Sequence, residues 1–317
     1  LDRSSAASDV YKRQSIVRYG KSYYLVHSSF IYTPGLVVYQ SDDLINWTPC
    51  STVLSTFTGD IWAPDIVVHN KRFYIYFPTR DEKGKKTNMV TWADTPEGPW
   101  SAPVDLKIGG IDPEHVVGED GKRYLLLSSG ALYPLSDDGC SITGEPVRIY
   151  KEWEIPEEWD IEGVSMEGLN VKKVGEYYYL FAAEGGTAGP PTSHMVVQAR
   201  SKNIMGPWEN APFNPLLRTE SRNEKWWSKG HGSIVDTEDG RLFMIFHAYE
   251  NGFQTLGRQT LLRELVQKED GWLHLKEGVI SLPAPERLKL SGIEDFVWQT
   301  CREHNLNDRF RITSDKI

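Results

Sequence analysis

The sequence predicts an all-β fold, a five-bladed β-propeller, and three observations predict it. A hairpin pattern recurs five times along 317 residues. Each hairpin is followed by a third apolar run and a polar turn, usually closed by a tryptophan. Helical periodicity is nowhere sustained. An all-strand repeat of about fifty residues is the signature of a propeller blade rather than of a sandwich.

The hairpins occupy residues 15–28 (SIVRYGKSYYLVHS), 62–77 (WAPDIVVHNKRFYIYF), 112–128 (DPEHVVGEDGKRYLLLS), 164–186 (VSMEGLNVKKVGEYYYLFAAEGG) and 231–247 (HGSIVDTEDGRLFMIFH). Each is two strand-length apolar runs around a polar turn, mostly containing glycine. Taking Tyr24, Tyr74, Tyr124, Tyr178 and Phe243 as equivalent gives spacings of 50, 50, 54 and 65 residues. The second halves end at Trp47, Trp100, Trp208 and Trp272, while the third repeat lacks its tryptophan. The propeller is therefore expected over residues 15–282. Residues 1–14 (LDRSSAASDVYKRQ) show neither strand alternation nor a credible helix. They read as a non-native adapter or assembly scar, or as a disordered tail, and are set aside from the fold. Residues 283–317 leave the repeat and end in a polar run, as a loose tail or the cut-off first strands of another domain.

Composition narrows the function. A net charge of −9 argues against nucleic acid or an anionic membrane surface as partner. No apolar run approaches the roughly 20 residues of a membrane helix. Cys50, Cys140 and Cys301 have neither zinc spacing nor a disulfide framework and are expected as ordinary thiols. The 11 Trp and 15 Tyr suit a β core and also sugar-binding faces, and composition does not separate the two. Neither the ends nor the cysteines decide between a cytoplasmic and a periplasmic or secreted location.

In a propeller the first strands of all blades line one central channel. Counting back 11 or 12 residues from the reference aromatics gives Trp62, Asp112, Glu167 and His231. Each alone has a structural reading, as a turn former, a solvated strand end or a satisfied backbone partner. Two carboxylates, an indole and an imidazole sharing one repeat position instead suit glycosidic bond cleavage, with one carboxyl group as acid and another as base. A neighbouring carboxylate raises the acid's pKa.

The chain resembles glycoside hydrolase family 43, five-bladed propellers that cleave β-xylosides and α-L-arabinofuranosides with inversion. The pieces that carry the resemblance are YYLVHSSFIYTPGLVVYQSDDLINW, DIWAPDIVVHNKRFYIYF, GIDPEHVV, MEGLNV, KGHGSIV and LGRQTLL, in order and spread over the blades. The resemblance implies Glu167 as general acid and Asp112 as the carboxylate that tunes and orients it. It implies Arg258, Phe30 and Trp62 around the sugar, and His231 on the axis near a structural calcium or its waters. The implied partner is a xylan or arabinoxylan type oligosaccharide or polysaccharide. Relatives often carry a C-terminal β-sandwich, whose opening strands the stretch IEDFVWQ…DRFRI is similar to.

One departure is large. The family's general base is an Asp that opens the first strand of blade one. Eleven and twelve residues before Tyr24 stand Arg13 and Lys12 instead. Both are cations at neutral pH. The sequence therefore predicts either a glycosidase whose base Asp is lost at this end, a β-xylosidase or α-L-arabinofuranosidase, or a carbohydrate-binding propeller without catalysis. A protein-interaction propeller is a third reading, and the convergent acidic set speaks against it.

Overall fold

A computed structural model describes residues 13–80 and 84–277. Five antiparallel sheets follow one another along the chain, each built from consecutive strands. Blade one is Ser15–Tyr19, Ser22–Val26, Gly35–Ser41 and Thr48–Leu54. Blade two is Asp65–His69, Arg72–Arg80, Lys86–Ala93 and Val104–Asp105, with Asp60–Ile61 pairing the end of its second strand. Blade three is Glu114–Val117, Arg123–Leu126, Ala131–Pro134 and Val147–Arg148. Blade four is Glu167–Val174, Tyr177–Glu184, Met195–Ser201 and Glu209–Asn210, with Leu217–Arg218 added to its third strand. Blade five is Trp226–Asp236, Leu242–Glu250, Arg258–Gln267 and Leu273–Leu275. The expected propeller is thus present, with a single turn of 3-10 helix at Gln254–Leu256 among the described residues. The expected C-terminal segment and Cys301 lie outside them, while Cys50 and Cys140 are half-buried free thiols.

The core lies between blades. Tyr24, Val26 and Leu36 of blade one pack on Ile66, Phe73 and Phe77 of blade two. Phe181 and Val196 of blade four pack on Met244 and Phe246 of blade five. The second strands read as continuous apolar runs because both of their faces are covered by neighbours. The tryptophans sit beside the fourth strands: Trp47, Trp208 and Trp272 immediately precede them.

The registers revise the repeat count by one residue in two blades. The cross-strand pairs Ser15↔Val26, Asp65↔Tyr76, Glu114↔Leu126, Asn170↔Phe181 and Ser233↔Ile245 are equivalent. Two residues before each stand Arg13, Ala63, Asp112, Gly168 and His231, so Trp62 and Glu167 precede the shared position by one. In blade two the reason is unequal hairpin length, and in blade four it is that Tyr179, not Tyr178, stands two residues before the paired Phe181. Blades one, two and four turn in two residues, at 20–21, 70–71 and 175–176, whereas blades three and five take five. Two-residue turns need left-handed backbone, and Gly20, Asn70, Lys71 and Gly175 have positive φ.

The residues of those five pairs form a belt around the axis. Ser15 Oγ accepts from Ile66 N at 3.1 Å, Asp65 Oδ2 from His115 N at 2.8 Å, Glu114 Oε1 from Val171 N at 3.0 Å, and Asn170 Oδ1 from Ile234 N at 3.0 Å. Each side chain thus satisfies a backbone donor at the start of the next blade. Ser233 Oγ, at the fifth position, is buried without a partner.

Candidate active site

One turn of chain above the belt, the channel mouth is lined by different residues from each blade. Arg13 (φ 57°), Asp112 (53°), Gly168 (55°) and His231 (54°) all have left-handed backbone. This sharp turn aims successive side chains at the axis, and for the three non-glycine residues it is a strained conformation of the sort found at functional sites. Gly168 has a second constraint, because a Cβ there would overlap the His231 ring. That close approach holds Glu167, the preceding residue, at the mouth.

Arg13 joins the two carboxylates. Its Nη1 donates to Asp112 Oδ1 at 3.1 Å and its Nη2 to Glu167 Oε2 at 2.5 Å. Asp112 Oδ2 accepts from Gly168 N at 2.9 Å and Ser128 Oγ at 3.0 Å. Glu167 Oε1 is buried and unpartnered. Two residues that the sequence reading set aside are therefore part of the centre. Gln14 is 2% exposed, and its Nε2 donates to the carbonyls of His231 and Ile245, both at 3.1 Å. Arg13 and Gln14 are held by side-chain bonds rather than by a ladder, and residues 1–12 lie outside the described residues.

Electrostatics separate the two carboxyl groups. Burial pushes Glu167 up, and Asp112 adds to this while Arg13 opposes it; the net shift is upward. Burial also acts on Asp112, but Arg13, His231 and the Gly168 N–H outweigh it and hold the group below the usual carboxylate range. A carboxyl group whose pKa is raised beside one whose pKa is lowered is the division of labour an acid catalyst needs. Burial brings His231 down to about 4, so its ring is neutral.

Behind the mouth lies a buried stack of imidazoles. His231 lies 5.9 Å from His247 and His247 5.4 Å from His194, with interplanar angles of 22° and 8°. Arg258 is 2% exposed and its Nη1 lies 3.2 Å from His247 Nε2. Burial lowers its pKa to about 10. His194 and His247 were not singled out from sequence, because one immediately precedes a third strand and the other lies on a second strand, where no repeat position marks them. Phe30 and Trp62 come together through a bridge: Phe30 N donates to Ile61 O at 2.8 Å and Ile61 N to Phe30 O at 3.1 Å. The Trp62 ring is flanked by Arg80 and Lys86, at 5.0 and 5.1 Å from its centroid.

The axis offers little to a metal. Among the described residues no three His, Cys, Asp or Glu side chains converge as ligands. A cavity of about 20 Å³ beside His231 is bounded by Gln14, Asp65, Asp112, Glu114 and Ser233, room for one water or one ion. Its unpartnered atoms are Gln14 Oε1, Ser233 Oγ and His231 Nδ1. These three do not complete the six to eight oxygens of a calcium shell, and no step below is routed through a metal.

The sequence pattern described as glycosyl hydrolases family 43 matches residues 7–273. The chain belongs to that family. It is 32% identical to a non-reducing end α-L-arabinofuranosidase of Bacteroides ovatus, over 90% of this chain and 54% of the relative. It is 30% identical to a xylan 1,3-β-xylosidase of a Vibrio species, over 86% of this chain and 57% of the relative. Among solved structures, a mutant of a family 43 protein from Bacillus licheniformis superposes with a TM-score of 0.77 at 33% identity, covering 88% of this chain and 58% of that one. A xylan β-1,4-xylosidase from Bacillus halodurans gives 0.74 at 30% identity, covering 86% and 57%. The family 43 chain spans little more than half the length of these relatives.

Proposed function

We propose that this chain is the propeller of an inverting, exo-acting glycosidase that removes terminal pentoses from xylan or arabinoxylan type substrates, as a β-xylosidase, an α-L-arabinofuranosidase or both. Glu167 is the general acid, which protonates the departing glycosidic oxygen. Asp112 orients it and keeps its pKa high. Arg258 binds the sugar, with Phe30 and Trp62 as walls of its subsite and His231 as the neutral group on the axis.

The observation that carries this reading is the bridge from Arg13 to both Asp112 and Glu167. It makes position 13 the place from which a blade-one carboxylate would face the acid across a sugar. As the chain stands, a guanidinium is there. It cannot take a proton from water, and it occupies the acid's Oε2. The expected cost of a missing base is roughly 10²–10⁴-fold in rate.

Arg13→Asp, alone and with Gln14→Pro, tests the reading on aryl β-xyloside and aryl α-L-arabinofuranoside. Release of one or both sugars, rising by that factor over the parent chain, is expected. A folded double variant that releases neither would overturn it. The second reading is a carbohydrate-binding propeller, favoured by the same arginine; under it pentose oligosaccharides bind the parent chain and the substitution adds no turnover. A calcium on the axis beside the His231 ring is a further proposal, one that needs water ligands beyond Gln14 Oε1 and Ser233 Oγ. Loss of thermal stability on chelation, restored by calcium, tests it.

A further inference from the structure

Past the belt, at the end of the channel away from the mouth, the first strands of blades two, three and four line a pocket of about 340 Å³. Its walls include Val67, Val117 and Val171, and its polar groups include His69, His115 and Lys173. We infer that this pocket binds a small carboxylate with an apolar body, of the size of hexanoate. The inference stands apart from the glycosidase reading, because no residue of the mouth lines the pocket.

Three observations support it. The first is charge. Arg123 opens the second strand of blade three and is 3% exposed, yet every group it bonds is neutral. Its Nε donates to His115 Nε2 at 2.9 Å, its Nη2 to Tyr76 Oη at 3.0 Å and its Nη1 to Asp137 O at 3.1 Å. Lys173 lies with Nζ 4.9 Å from the centroid of the Tyr178 ring. Among the described residues neither cation meets a carboxylate, whereas Arg18 and Lys172, on the same set of first strands, share Asp236. In a chain of net charge −9, two unpaired cations around one pocket make a local field that attracts an anion.

The second is a free donor. Burial and Arg123 hold His69 and His115 below the ordinary imidazole pKa, so both rings are neutral. Their centroids are 5.7 Å apart. His115 Nε2 is taken by Arg123, but among the described residues the His69 ring makes no hydrogen bond. Its N–H is left for a carboxylate oxygen beside Lys173.

The third is the apolar wall. Val117 is 36% exposed at the pocket, and Tyr178 Oη donates to Val117 O at 3.3 Å, which ties blade three to blade four beneath it. The acidic residues that follow are spent elsewhere: Glu119 Oε2 accepts from Ile204 N at 3.0 Å and Asp120 Oδ2 from Tyr124 Oη at 2.9 Å. Valine walls with a few convergent polar groups suit a ligand that is apolar at one end and anionic at the other.

Calorimetric titration of the parent chain with sodium hexanoate near neutral pH tests the inference, with hexan-1-ol and sodium sulfate as comparison ligands. Hexanoate should bind saturably, and the alcohol about tenfold more weakly, because it lacks the charge. Lys173→Met should weaken hexanoate about fivefold, and Val117→Asp, which sets a like charge against the ligand, should abolish binding. Both side chains are exposed, so both variants should keep the melting temperature of the parent. No saturable binding of hexanoate, equal affinity for the alcohol, or unchanged affinity in Lys173→Met would overturn the proposal. Sulfate bound as tightly as hexanoate would overturn it as well, since that marks a cationic surface without an apolar site.

Discussion

The belt and the mouth of the channel lie two residues apart along the chain in all five blades, yet they are built on opposite rules. In the belt, Ser15, Asp65, Glu114 and Asn170 differ in chemistry but perform one task, accepting a backbone N–H from the next blade. At the mouth, Arg13, Ala63, Asp112, Gly168 and His231 share a location and perform different tasks. A repeat needs its blades joined alike, and a reaction needs its groups unlike. The difference teaches which substitutions should change stability and which should change chemistry.

The sharpest break in that contrast is at Glu167. In the Arg13→Asp chain, Glu167→Gln should cost roughly 10²–10⁴-fold in kcat on an unactivated pentoside while the melting temperature stays close to that of its parent. A large fall in melting temperature instead would make Glu167 a structural residue. Next comes Arg13→Ala, which leaves two buried carboxyl groups face to face. It should destabilise by about 3 kcal/mol near pH 8. Because Arg13 holds Asp112 below its unfolded pKa, that stabilisation is present above about pH 4 and is lost as pH falls through the folded value. Denaturant midpoints from pH 8 down to about pH 2 check it, and a difference that grows toward acid would contradict the sign. The same variant should raise the Glu167 pKa further, since Arg13 is what lowers it.

Asn170→Ala probes the belt. It strands Ile234 N and removes the 3.0 Å bond to Glu114, for about 1–3 kcal/mol. Arg13→Asp should turn over at an unchanged ligand affinity in this background if the two rings are separable. The smallest effect expected is from Asp65→Asn. Burial raises Asp65 to about 6, and burial together with Asp65 raises Glu114 well above its ordinary value. Groups with raised pKa stabilise fully below the unfolded value and lose that contribution as pH rises through the folded one. The amide can still accept from His115 N and donate to Ser15 Oγ, so the variant should flatten the decline in melting temperature between pH 5 and 8. A steeper decline would show that the charge is needed.

The blade count, the strand order and the candidate carboxylates were legible in the sequence, because a second strand buried on both faces has to be apolar and recurs with the blade. The belt was not. Its members share an acceptor atom rather than a residue type, and the partner of each lies in the next repeat. The offset at Trp62 came from turn length, since two-residue and five-residue turns place the aromatic at different distances from the mouth, and the offset at Glu167 came from Tyr178 standing where the register makes Tyr179 equivalent. Counting back from Tyr24 reaches Arg13, yet its bridge to Asp112 and Glu167 could not be seen from a stretch without periodicity. His194 and His247 carried no signal, since stacking depends on which strands become neighbours.

Gln14 has one more consequence. Among the described residues every blade is made from one continuous run of chain, and no strand of the first blade completes the sheet of the last. The circle is fastened between its first and last sectors by the two bonds of Gln14, the Arg18–Asp236 ion pair at 2.7 Å and the packing of Ile16 and Leu25 against Val235 and Ile245. Among the described residues it is a bracelet with a clasp, and the clasp is set one residue from the arginine that bridges Asp112 and Glu167. Opening the bracelet would therefore also pull that bridge apart.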